Sequence, residues 1–122
     1  MGRYCFFNTG YEYKFAFALQ PSGDILKFGG TSEFVYEGNH KHSWSIVDRK
    51  PLLGKLRDYE EILGLPEVDF ESYQKDTDGT RKLHQYLYTL PQDIDLYLTY
   101  MLGCLIYHQL LYKLDLNCTY ES

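Results

Sequence analysis

The sequence predicts an α+β domain: an N-terminal antiparallel sheet of four or five strands packed against three C-terminal helices. Three observations carry that reading. Residues alternate in character without a break from Tyr11 to Gln20. After Asp48 the apolar spacing changes from two to that of a helix. From Leu96 to Tyr112 no residue carries a formal charge. At 122 residues the chain suits one domain, 1–122, with a β-rich half (1–48) and a helical half (49–115).

The strands come first. Tyr11, Tyr13, Phe15, Phe17 and Leu19 fall on one side of the alternation, and Glu12, Lys14, Ala16, Ala18 and Gln20 on the other. Period two with aromatics on one side marks a half-buried strand. Tyr4–Phe7 is a second strand, and Asn8-Thr9-Gly10 is a hairpin link whose glycine accepts positive φ. Pro21-Ser22-Gly23-Asp24 is turn chemistry. Ile25–Phe28 reads either as a strand or as a helical turn capped by Ser22 and stopped by Gly29-Gly30. Phe34-Val35-Tyr36 is a strand, Gly38-Asn39 a turn, and His42, Trp44 and Ile46 mark a further strand.

The helices follow. Leu52, Leu53, Leu56, Tyr59, Ile62 and Leu63 share helical spacing, opened by Pro51 and stopped by Gly64 and Pro66. Residues 67–78 are acidic and read as a loop. Leu83, Tyr86, Leu87 and Leu90 mark a second helix. The third is opened by Pro91, with Asp93 and Asp95 at its positive end. A helix apolar on all sides is buried or lies in a membrane. Thr99, Gly103, His108 and Gln109 make this one too polar and short to span, so a central buried helix is expected. One domain of this length has little material to enclose such a helix, so a second copy of the chain is expected to supply part of the cover. The last residues, around Asn117-Cys118-Thr119, read as a C-terminal coil.

Charge and cysteines narrow the function. The net charge is −5, with six basic and five acidic residues before position 51 and six basic and twelve acidic after it. No basic run exceeds two residues, which argues against binding a nucleic-acid backbone. Cys5, Cys104 and Cys118 form neither a disulfide framework nor a zinc knuckle. With no signal peptide at the start, a reducing, cytoplasmic setting is expected.

The stretch Glu37–Asp48 raises the question of a metal or catalytic site. His40 and His42 lie two apart, a spacing that lets strand histidines chelate one ion, and Asp48 follows. A metal needs further ligands, for which Asp48, His84 and His108 are the available types. Solvated histidines beside the Gly38-Asn39 turn are the plainer reading, and no metal or cofactor is expected. Asp76-Thr77-Asp78-Gly79-Thr80 resembles the opening motif of the haloacid-dehalogenase-like phosphatases, which implies a nucleophile at Asp76 and an acid at Asp78. The resemblance covers five residues. That family's motif follows a buried apolar strand, whereas here Asp69–Lys75 precedes it, and the fold needs a longer chain. Asp78 and Thr80 are therefore read as helix N-cap residues. Phe28–Ser32 reads as a β-turn, Cys104 as an inert buried thiol and His108 as a hydrogen-bonded core histidine.

The leading expectation is a small binding or assembly module, homodimeric or paired with another protein, acting through an aromatic-rich surface. Its candidate binding residues are the strand tyrosines with Tyr97, Tyr100, Tyr107 and His108. The alternative is a small hydrolase or nucleotide-handling enzyme centred on His40, His42 and Asp48.

Overall fold

The architecture is that of a computed structural model describing residues 3–16, 19–36, 38–90 and 94–121. Met1, Gly2, Phe17, Ala18, Pro91, Asp93 and the Ser22 side chain lie outside that description. Five antiparallel strands, β1 (Tyr4–Phe7), β2 (Glu12–Lys14), β3 (Thr31–Tyr36), β4 (Asn39–Ser45) and β5 (Asp115–Glu121), form one sheet in the order β2-β1-β5-β4-β3. Among the described residues, four α-helices accompany it: α1 (Pro21–Leu26), α2 (Arg49–Leu63), α3 (Thr77–Tyr88) and α4 (Asp95–Leu110). The α+β class, the antiparallel sheet and the three C-terminal helices stand as expected.

The expected C-terminal coil is instead β5, the central strand. Its residues alternate, with Leu116, Cys118 and Tyr120 buried and Asp115, Thr119 and Glu121 exposed. One face of the sheet therefore meets the helices and the other meets water. The first hairpin is present, with Gly10 at φ 97°. Ladder pairing of β2 covers only Glu12–Lys14, but Tyr11, Tyr13, Phe15 and Leu19 are all buried, so the face assignment extends beyond the strand. The ambiguous stretch after Pro21 is helical. Asp24 turns back to accept the Gln20 N–H at 2.7 Å, which fixes the helix start.

The cap of α3 is Asp76, not Asp78 or Thr80: its carboxylate accepts the Gly79 N–H at 2.8 Å. Gly79 sits there because the chain passes close by. A Cβ added to it would lie 1.6 Å from the Gln74 carbonyl oxygen. The D-x-D-G-T run is thus a cap followed by a close backbone approach.

From Thr99 to Leu110, α4 is enclosed on all sides by this one chain. Tyr97 and every residue from Thr99 to Leu110 are buried. Around it, Asp24 of α1 accepts from Thr99 at 3.2 Å, and Glu60 of α2 accepts from the Tyr100 hydroxyl. Thr80 of α3 bonds His108, and Thr9 of the hairpin turn donates to Gln109 at 2.6 Å. Arg49 donates to the Leu110 carbonyl at 2.8 Å, satisfying one of the acceptors left at the helix end. Phe28 and Leu56 close on Gly103. The expectation that a second copy is needed to cover α4 is therefore corrected: the sheet, α1, α2 and α3 suffice.

Candidate functional site

The residues that the sequence offers for chemistry do not converge. His42 is fully buried on the helix-facing side of β4, and its Nε2–H donates to the Gly29 carbonyl at 2.6 Å. Its Nδ1 has no partner, and its ring packs 4.5 Å from Trp44. Gly30 lets the chain pass this close, since a Cβ there would fall 2.7 Å from Nε2. Burial pushes the His42 pKa down, against the opposing effects of the Gly29 carbonyl and Asp48. Asp48 accepts the Ser45 N–H at 2.8 Å and closes a capping box. Its carboxylate is committed to the chain turn.

His40 is half-buried and stacks on Tyr120 at 5.6 Å, with Phe34 edge-on at 5.7 Å. His84 bonds the Tyr11 hydroxyl at 2.6 Å, far along the sheet, and His108 bonds Thr80 at 2.8 Å in the core. Among the described residues no three His, Cys, Asp or Glu side chains are grouped so as to hold a metal ion. A hollow of about 390 Å³ beside Asp48 is lined by Gly30, Thr31, Ser43, Ser45 and Asn117, but His42 is not at its wall. Its hydroxyls thus face no imidazole base.

The binding candidates on α4 are core residues. Tyr97, Tyr100, Tyr107 and His108 are all buried. The Tyr97 hydroxyl donates to the Leu87 carbonyl at 2.6 Å, and Tyr107 packs edge-on against Phe70 at 4.8 Å. Burial pushes the Tyr97, Tyr100 and Tyr107 hydroxyls above the ordinary tyrosine range. Of the strand tyrosines, Tyr11 and Tyr13 are buried as well.

Two exposed aromatic side chains, Phe34 and Tyr36, lie elsewhere, at the free edge of the sheet. All six residues of β3 are exposed. Phe34, Val35 and Tyr36 stand 64%, 47% and 60% exposed, three large apolar side chains in succession. His40 supports Phe34 from the neighbouring strand and rests in turn on Tyr120. On the water-facing side of β1, Phe6 stacks on Tyr4 at 6.1 Å. A bare edge strand leaves unpaired N–H and C=O groups along one side, a template for a further strand. The opposite edge, β2, offers only three residues.

Phe34–Tyr36 is legible in the sequence as a strand, but its exposure is not. The available signal is the lack of alternation: three consecutive apolar residues on a strand cannot all face one core.

Protein-family models, characterised proteins and solved structures were compared with this chain, and none matches it.

Proposed function

We propose that this chain is a small binding and assembly module that pairs with a second copy of itself along β3. The observation that carries the reading is the six-residue edge strand with every side chain exposed and three of them large and apolar. Strand addition supplies main-chain hydrogen bonds and buries the side chains that alternate along the edge. Burying a phenylalanine fully stabilises by about 1.5–3 kcal/mol, and Phe34 retains most of that to gain.

The partner is a second copy because the edge suits one in symmetry and because its one charge is offset by a neighbour on the next strand. The only charge on β3 is Glu33, and Lys41 stands opposite it on β4. The edge is therefore locally balanced although the chain carries −5. Joining β3 to β3 consumes both long edges and closes at two chains, whereas joining it to another element leaves an open series. The three buried thiols, none of them in a disulfide, suit a reducing, cytoplasmic setting. No helix among the described residues is long and apolar enough to cross a membrane. The enzymatic reading draws no support from His42, which is sealed from solvent.

Sedimentation equilibrium over a wide concentration range tests the proposal. The expected result is a monomer–dimer equilibrium that Phe34→Asp weakens by at least about tenfold, the equivalent of 1.4 kcal/mol. A monomer at every concentration overturns it, as does a dimer indifferent to that substitution.

A further inference from the structure

We infer that Glu33 lies on the two-fold axis of the β3–β3 pairing and restrains its strength; this rests on the self-pairing proposed above. Two antiparallel copies of one strand, joined edge to edge, are related by an axis perpendicular to the sheet. Residues directly opposite each other share a face, so the axis passes through a residue rather than between two. On a strand of Thr31–Tyr36, only axes at Glu33 or Phe34 give a pairing longer than three residues.

The fold chooses between them. Ser32 lies opposite His42 and Phe34 opposite His40, on one face of the sheet. The ladder then shifts at a bulge, and Tyr36 comes opposite Asn39, on the other face. An axis at Phe34 would set Ser32 against Tyr36 of the copy, two residues on opposite faces. An axis at Glu33 sets Ser32 against Phe34, both on the helix-covered face, and Thr31 against Val35 where the bulge begins. Only the second is consistent with the backbone.

The consequence is electrostatic. Glu33 meets Glu33 of the copy, and each has Lys41 on its other side, giving a row Lys41–Glu33–Glu33–Lys41 across the joint. Like charges directly opposite on a sheet disfavour pairing, and the flanking lysines offset part of that. The edge thus carries an apolar drive to associate and one charged position that holds it in check, a device that suits a reversible assembly.

The test uses full-length variants in sedimentation equilibrium and in cross-linking with oxidised glutathione. Glu33→Gln is expected to tighten the dimer by at least about fivefold, while Glu12→Gln, on the far edge, leaves it unchanged. Glu33→Cys is expected to form a disulfide-linked dimer faster than Ser32→Cys or Phe34→Cys alone, since only residue 33 faces its own copy. A dimer that Glu33→Gln does not tighten, or in which Phe34→Cys cross-links faster than Glu33→Cys, overturns this register and leaves self-pairing standing. A monomer for the wild type and Glu33→Gln alike overturns both.

Discussion

Gly103 shows how one side chain, or the lack of one, sets the packing of the centre. A Cβ there would lie 2.5 Å from the Phe28 ring and 2.8 Å from a Leu56 methyl. Both neighbours are themselves buried and have nowhere to retreat. Gly103→Ala is therefore expected to cost about 1–3 kcal/mol through overpacking, despite the better helix propensity of alanine. The urea midpoint reads it, and an unchanged or raised midpoint contradicts the packing described. Glu60 is the second residue of this kind. It is buried, paired with Arg57 at 2.8 Å, and accepts from the Val68 N–H at 3.1 Å and from the Tyr100 hydroxyl. Glu60→Ala leaves the buried Val68 N–H and Tyr100 hydroxyl without an acceptor and removes the ion pair of the half-buried Arg57, and should destabilise by about 2–5 kcal/mol. Replacement by glutamine, which keeps acceptor capacity, should cost less. Equal costs for the two would show that the acceptors are immaterial.

Among the elements, three imidazoles, His42 and His108 buried and His84 half-buried, tie separate joints. His42 joins β4 to the turn at Gly29, His84 joins α3 to Tyr11, and His108 joins α4 to Thr80. Each has one ring nitrogen buried without a partner. Burial pushes all three pKa values below the ordinary imidazole value. Above about pH 6.5 these histidines are neutral in both the folded and the unfolded chain, so their contribution to stability is complete. As pH falls below that value the unfolded chain takes up protons first, and stability drops until the depressed folded pKa values are passed. The urea midpoint is expected to be lower at pH 5 than at pH 7.5, and a combined His84→Gln, His108→Gln variant should flatten that difference. A midpoint equal or higher at pH 5 in the wild type would contradict it.

The elements also show how much the sequence could reveal. The hairpin, the three long helices and the change of period at Asp48 were all legible, because each is a local pattern. The central position of β5 was not. Its alternation of Leu116, Cys118 and Tyr120 is as regular as that of Tyr11–Leu19, but seven residues at a chain end carry no sign of which strands they join. The full enclosure of α4 shares this origin. Placing β5 between β1 and β4 closes the sheet over the helix, and a reading without that strand is left short of cover. The site was legible least of all. His40 and His42 stood out by residue type, yet one became a pillar under Phe34 and the other a core contact. Exposure of Phe34–Tyr36 depends on β3 being an edge, which only strand order determines.

For the whole molecule, a self-contained core and a bare edge divide the work. The core needs no partner, so the folded monomer is expected to be stable when dilute and association to follow folding rather than drive it. Thermal unfolding should accordingly shift only modestly upward with protein concentration, by mass action on the dimer. The most direct measurement of the central claim is amide hydrogen exchange along Thr31–Tyr36 at low and high protein concentration. Self-pairing predicts that alternate amides on the free side of β3 exchange freely when dilute and become protected when concentrated, while amides of β2 do not change. The same exchange rates in β3 at every concentration would contradict it.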